Sequence, residues 1–101
     1  MPSRKPLPLK LSPKARQDFI DLLRYTGERW GEKQLQLYRD KIDDALQAIS
    51  QNSQLGHSRD DLPATFLAYL VGSHIIVYRS MGDAIGVVRI LHQRMSLARH
   101  I

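Results

Sequence analysis

The sequence has no cysteine, which excludes disulfide bonds, cysteine zinc sites and thiol chemistry, and which fits a reducing cytosol. No apolar run approaches the ~18 residues that a membrane-spanning helix needs. The basic first residues are not followed by the apolar segment of a secretory leader. Gly-rich phosphate loops, nucleophile elbows and histidine pairs at ligand spacing are missing as well. From these absences we expect a cytoplasmic protein that uses neither a cofactor nor a metal.

Lysine is missing after Lys41, and charge is spread unevenly along the chain. The 101 residues carry 15 Lys and Arg against 10 Asp and Glu, a net charge of +5. Residues 1–16 and 84–101 contain bases and no acid, whereas residues 42–83 contain more acids than bases. Two basic ends predict an anionic or acidic partner. Since 43% hydrophobic and 25% charged residues are typical of a globular chain, we expect one domain over residues 1–101.

The beginning of the chain predicts a short strand followed by a helix. Apolar residues occupy alternate positions of 7–11, which indicates a strand, and Pro8 places it at a sheet edge or at the strand start. Ser12–Pro13 is typical of a helix start, with a hydroxyl at the N-cap and proline at the first helical position. Apolar residues at three- and four-residue steps then predict a helix from about 13 to 30, ended by Gly31.

A second helical pattern follows at once, with apolar residues from Leu35 to Ile49 in three- and four-residue steps. Because only a residue or two connects the two patterns, we expect an antiparallel helical hairpin. The core residues predicted for the hairpin and the sheet are Phe19, Leu22, Trp30, Tyr38, Ile42 and Tyr78. The alternative for Trp30 is an interface anchor, but its spacing continues the apolar stripe, so we place it in the core beside Tyr38.

Beyond a polar loop over residues 51–62, the apolar period changes to two. Strands are predicted over Thr65–Val71, His74–Arg79 and Ala84–His92, and Gly72–Ser73 has the composition of a tight type II′ hairpin turn. These strands form an antiparallel meander. Together with the helical hairpin and the first strand they predict an α+β fold of order β-α-α-β-β-β, with the sheet packed on the hairpin.

Both faces of the predicted meander are apolar. In the last strand, alternation assigns one face to Ile85, Val87, Arg89 and Leu91, and the other to Val88, Ile90 and His92. A helical hairpin covers only one face of such a sheet. The second face therefore requires the tail of the chain, a second copy or a partner.

Three ordered motifs resemble those of the ParE branch of the ParE/RelE toxins, which belong to bacterial type II toxin–antitoxin systems. They are Tyr25-Thr26 followed by Trp30-Gly31, Gln34 and Tyr38, then Gly72 to Arg79, and then Arg89 to Met95 with Arg99-His100. The resemblance runs from about residue 9 to 101 and implies the same element order that periodicity predicts. It also implies a bacterial toxin that inhibits DNA gyrase, so that cleaved DNA accumulates and replication stops.

The resemblance further implies a protein partner that silences the toxin. This partner would be a small ParD-like antitoxin, usually with a ribbon-helix-helix DNA-binding head, whose carboxyl-terminal segment wraps the toxin. DNA is then reached only through partners. The candidate residues for binding the antitoxin or the target are Arg79, Arg89, His92, Arg94, Met95 and Arg99. Arginine suits this role because its guanidinium meets carboxylates bidentately.

RelE-like members of the superfamily cut messenger RNA on the ribosome, and this activity is the enzymatic alternative. It needs a base, an acid and cations around the scissile phosphate, and Arg89, His92 and Arg94 supply only half of such a site. For His92 we favour a structural role, a hydrogen bond to the tail. We therefore predict a non-catalytic inhibitor. A third possibility is a degenerate member that only binds the antitoxin and tunes operator repression.

Overall fold

The computed structural model describes residues 5–101, so the predictions that rest on residues 1–4, including the charge of Arg4 and the absence of a leader, lie outside the described residues. The elements in chain order are β1 (Leu9–Leu11), α1 (Pro13–Trp30), α2 (Glu32–Gln51), β2 (Phe66–Val71), β3 (His74–Ser80), β4 (Ile85–His92) and α3 (Leu97–His100). The predicted order and the α+β class are confirmed, with one further helical turn near the carboxyl end. Over residues 5–101, no helix is both long enough and apolar enough to cross a membrane.

The helical hairpin begins and turns at its capping residues. Ser12 is extended, and its Oγ accepts a hydrogen bond from the Ala15 N–H at 3.0 Å, while Pro13 occupies the first turn. Gly31 alone separates α1 from α2, and its φ of +92° lies in the region that favours glycine. This one-residue connection folds α2 back along α1, so that both helices pack on the same face of the sheet.

The four strands lie in the order β1-β4-β3-β2. β1 pairs in parallel with the start of β4, with Leu9 opposite Ile85, and Pro8 precedes the ladder. This confirms an edge strand that begins after the proline. At the turn between β2 and β3, Gly72 has a φ of +57° and the φ of Ser73 is not positive, which matches the predicted type II′ turn.

A β-bulge interrupts the pairing of β3 with β4. The register shifts between Val77 and Tyr78, and Val88 is the extra residue on β4. The residues of β4 that pack towards the helices are Ile85, Val87 and Ile90, and those that pack on the opposite face are Val88 and Leu91. The alternation predicted for β4 is therefore wrong beyond the bulge, because one inserted residue reverses the face of every residue that follows it.

The larger of two hydrophobic clusters lies between the helical hairpin and the sheet. Among the predicted core residues, Leu22, Ile42 and Tyr78 are buried in this cluster. Phe19 and Tyr38 are half-buried and pack against it. These five side chains thus lie in this cluster or against it.

The opposite face of the sheet is covered by the chain itself. Leu62, from the loop before β2, and Leu97, from α3, join a second cluster with Ile75, Val77 and Leu91. Leu97 is only 1% exposed. Of the three occupants expected for this face, the structure therefore shows the tail of the chain.

Trp30 is the exception among the predicted core residues, because its side chain is 64% exposed. Its placement in the core is wrong. Trp30 is the last residue of α1, next to the turn at Gly31, and the Arg29 guanidinium lies 5.7 Å from the centroid of its ring. Helical spacing gives the direction in which a side chain points, but it does not show whether another element lies there.

Tyr78 fastens the long loop between α2 and β2 to the sheet. Its hydroxyl donates to the Ser53 carbonyl oxygen at 2.9 Å and accepts from the Gly56 N–H at 2.7 Å. Gly56 suits this close approach, since a Cβ there would lie 2.7 Å from the phenol oxygen. Burial raises the pKa of Tyr78, so the phenol stays protonated and can make both bonds.

We expect Tyr78→Phe to lower the free energy of unfolding by about 1–3 kcal/mol, because two half-buried backbone groups lose their partner. Tyr69→Phe, which removes a hydroxyl from the neighbouring strand, is the control and should change it by less than about 0.5 kcal/mol. Urea unfolding followed by circular dichroism measures both values. Equal losses in the two variants would contradict the role of Tyr78.

Candidate functional site

An open groove of about 810 Å³ lies between the helical hairpin and the ends of β3 and β4. α1 and the start of α2 form one wall. The β2–β3 turn, the end of β4 and the residue Met95 beyond it form the other. We call this cavity the hairpin groove, and its lining includes Asp18, Tyr25, Trp30, Tyr38, His74 and Met95.

The walls of the hairpin groove carry large apolar side chains that are open to solvent. Tyr25 is 60% exposed, Trp30 64% and Met95 39%. Single exposed apolar residues are ordinary, but several around one concave surface mark an interaction site. The groove is therefore the strongest candidate for contact with another molecule.

Tyr38, His74 and His92 form a polar chain along the groove. The Tyr38 Oη lies 2.6 Å from His74 Nδ1 and accepts from the Ser73 N–H at 3.1 Å. The rings of His74 and His92 meet edge to face at 5.3 Å between centroids. Burial and the neighbouring His92 lower the pKa of His74 to about 4, against an opposing effect of Asp18. The bond between Tyr38 Oη and Nδ1 therefore holds a neutral His74 imidazole, and the Tyr38 hydroxyl also lies 3.5 Å from the Val71 carbonyl oxygen.

His92 fixes the start of the tail, which we define as residues 93–101. Its Nδ1 accepts from the Arg94 N–H at 3.1 Å, and its carbonyl oxygen accepts from the Met95 N–H at 2.9 Å. The structure thus contains the hydrogen bond to the tail that the favoured structural role requires. The half-buried ring is held between the tail and His74.

Arg89 is directed into the molecule. Its Nε and Nη2 donate to the two carboxylate oxygens of Asp18 at 2.7 and 2.9 Å, and its Nη1 donates to the His100 carbonyl oxygen at 2.8 Å. Both charged side chains are only 14% exposed. The hydrogen bond to Asp18 raises the pKa of Arg89, so the guanidinium stays charged. Nε, Nη1 and Nη2 of Arg89, which could bind a partner, are therefore already bonded within the chain.

The other predicted binding residues are exposed and lie in two places. Arg94 and Met95 follow β4 and Arg99 lies in α3, so these three belong to the tail. Arg79 lies on β3, opposite Gly86 of β4. Within residues 5–101, none of the three arginines forms an ion pair. Over the same residues, no cluster of three or more histidine or acidic side chains is arranged to hold a metal ion.

The sequence predicts a partner segment over the exposed sheet and hairpin groove, but it does not indicate which residues line that groove. The groove residues contributed by the two helices include Tyr25, Thr26, Trp30, Gln34 and Tyr38. These are side chains of the first ordered motif, of which the sequence places only Trp30 and Tyr38 in the core. Their spacing on two antiparallel helices brings them to one end of the hairpin, where Tyr25 and Trp30 remain exposed.

The fold, the hairpin groove and the exposed basic tail define a small α+β protein with an interaction surface on a helical hairpin. Residues 9–97 match the family model described as the ParE toxin of the type II toxin-antitoxin system, parDE. The chain belongs to the ParE toxin family, as its motifs indicate, and is a toxin of a type II toxin–antitoxin system.

Two relatives match over almost their whole length. Toxin ParE1 of Caulobacter vibrioides is 30% identical over 94 residues, which are 93% of this chain and 97% of that protein. Toxin ParE1 of Mycobacterium tuberculosis is 33% identical over 92 residues, which are 90% of this chain and 94% of that protein. The likeness therefore extends over the whole folded unit.

Solved structures share the fold at lower identity. A chain of the chromosomal ParDE system from P. aeruginosa has a TM-score of 0.74 at 17% identity and covers 85% of this chain and 95% of that one. A chain of the RelBE2 toxin–antitoxin complex from Mycobacterium tuberculosis has a TM-score of 0.64 at 16% identity, with 87% and 99% covered. These likenesses show the RelE/ParE fold.

The buried His74 should make the free energy of unfolding depend on pH. Because its pKa falls from 6.5 to about 4 on folding, the unfolded chain binds more protons between these values. Stability should therefore rise as pH increases through this window and fall as pH decreases through it. Urea unfolding at several pH values between about 4 and 6.5 measures the slope.

His74→Gln should reduce this slope, because it removes the group whose pKa differs between the two states. His57→Gln, which removes an exposed histidine, is the matched control. A slope that is the same in His74→Gln and in the wild type would show that another group produces it.

Proposed function

We propose that this toxin inhibits DNA gyrase and blocks replication until a ParD-like antitoxin neutralises it. The observation that carries the proposal is the match of residues 9–97 to the ParE toxin family. The parDE designation of that family supports a ParD-like partner, for which we expect a ribbon-helix-helix head. DNA would then be reached through the gyrase or the antitoxin.

The placement of the RelE-type candidates supports binding over catalysis. Arg89 donates through Nε, Nη1 and Nη2 within the chain, so its charge is directed at Asp18 and not at a bound phosphate. His92 Nδ1 is occupied by the Arg94 N–H. Since the chain has no lysine after Lys41, few cations remain to stabilise a scissile phosphate.

The hairpin groove is the place that we assign to the antitoxin. Tyr25 and Trp30 supply exposed aromatic anchors of the kind that dominate protein interfaces. An open apolar groove along a helical hairpin suits the apolar face of a helix or an extended segment. Arg94 and Arg99 of the adjoining tail suit an acidic segment, which their charge would also steer towards the toxin.

The purified toxin should inhibit the supercoiling of relaxed plasmid by gyrase and should increase the amount of cleaved DNA. Toxin mixed beforehand with its antitoxin is the control and should have no effect. Normal supercoiling in the presence of excess toxin would contradict the proposal.

Expression in cells separates the remaining functions. Transcripts that are cut after induction would support the endoribonuclease. The degenerate member would instead bind the antitoxin tightly without slowing growth. Intact transcripts in arrested cells agree with gyrase inhibition.

Trp30→Ala should weaken antitoxin binding by about 2 kcal/mol, or roughly 30-fold in Kd, because it removes an aromatic anchor from the groove. Leu37→Ala is the matched control, since Leu37 is 54% exposed on α2 and does not line the hairpin groove. Isothermal titration calorimetry with the purified antitoxin measures both Kd values. Equal Kd values for the two variants would place the antitoxin elsewhere.

A further inference from the structure

Asp18 and Arg89 join three parts of the chain that are distant in sequence. Asp18 lies on α1 and Arg89 on β4, and their side chains share two hydrogen bonds at 2.7 and 2.9 Å. Asp18 Oδ2 also accepts from the Ile90 N–H at 3.0 Å. Arg89 donates in addition to the carbonyl oxygen of His100, in the tail, at 2.8 Å. Helix, central strand and tail therefore meet at one ion pair.

This ion pair differs from the others in the described part of the chain. The side chains of Asp18 and Arg89 are each 14% exposed, whereas those of Arg59 and Asp61 are 41% and 37% exposed. Exposed pairs contribute little, but removal of one partner from a buried pair leaves an uncompensated charge. Loss of the Asp18–Arg89 pair should therefore destabilise the part of the structure around it.

The tail has few other attachments. Leu97 is buried in the second cluster, and the Gln93 N–H donates to the Ser73 carbonyl oxygen at 2.8 Å. The bond from Arg89 holds the opposite end of the tail, at His100. Between these attachments, Arg94 and Arg99 are exposed. Their guanidinium groups are thus presented from a segment that is fixed at both ends.

We propose that Arg89 is a positioning residue, which together with Asp18 holds the tail so that Arg94 and Arg99 form the surface that meets the target. The inference rests on the proposed function. Arg89 itself does not touch the target in this account. A tail that is ordered before binding loses less conformational entropy when the target binds, so the ion pair raises affinity without contributing a contact.

The variants Asp18→Asn and Arg89→Gln, together with the double variant, test the proposal. Each single variant should increase the amide exchange rate of Ile101, whose N–H donates to the Leu97 carbonyl oxygen at 3.1 Å, at least roughly tenfold, because the end of the tail is released. Each should also weaken the inhibition of gyrase at least roughly tenfold. The double variant should be no weaker than either single variant, since both act through the same pair.

A direct contact between Arg89 and the target gives a different result. Asp18→Asn would then leave Arg89 in place and inhibition intact, or the losses in the double variant would add. Either result would overturn the proposal. Arg59→Gln breaks the exposed pair with Asp61 and is the matched control, expected to leave tail exchange and inhibition at wild-type values.

Two further measurements separate release of the tail from general unfolding. Amide exchange in β3 should stay at the wild-type rate in each variant. If β3 loses this protection in Asp18→Asn and Arg89→Gln, a third variant, Arg89→Lys, tests release of the tail. Lysine keeps a charge beside Asp18, but it has no planar fork with which to bond His100 as well. Unchanged tail exchange in Arg89→Lys would overturn the proposal.

Arg94→Gln combined with Arg99→Gln should weaken inhibition while tail exchange stays unchanged. Full inhibition by this double variant would exclude the surface that we assign. Wild-type toxin that leaves gyrase unaffected would contradict the proposed function, and growth arrest by the same variants would then test the positioning role without gyrase. If the wild type inhibits and the released-tail variants inhibit equally well, only the positioning role is wrong.

Discussion

β1 is too short to pair with the whole edge of β4, and α1 with its N-cap bonds the rest of that edge. β1 has three residues and β4 has eight, so the rest of the β4 edge would leave polar backbone groups unpaired. Side chains of α1 and of its N-cap bond these groups instead. Ser12 Oγ donates to the Val88 carbonyl oxygen at 2.8 Å, and Asp18 Oδ2 accepts from the Ile90 N–H at 3.0 Å. The direction of α1 along the sheet is fixed by these bonds, and the groove and the tail depend on it.

The exposed aromatic side chains of the hairpin groove follow from the attachment of α1 to β4. α1 has 18 residues and is therefore about 27 Å long, and it is bonded to β4 near its amino end. Its last turns, with Tyr25 and Trp30, lie at the other end of the helix, and both side chains are exposed. The one-residue turn at Gly31 brings α2 back beside this end of α1. The hairpin groove is thus a consequence of helix length and of the place at which the helix is anchored.

Local signals predicted the elements of this fold well, because caps and turns are determined by neighbouring residues. Ser12, Pro13 and Gly31 gave the ends of α1 as the structure has them. The errors concern what one element meets in another. The bulge at Val88 depends on pairing with β3, and the exposure of Trp30 depends on the extent of the sheet. No periodicity within a single segment contains that information.

Charge is distributed differently over the two candidate surfaces. Among residues 5–101, no Lys or Arg lines the hairpin groove, which contains the carboxylates of Asp18 and Asp21, whereas the adjoining tail exposes Arg94 and Arg99. Met95 lies in both surfaces. A segment seated in the groove on apolar contacts would therefore lie beside the tail arginines, where acidic residues could pair with them. In the proposed function, one antitoxin segment would fill the groove and cover the cations that the target requires.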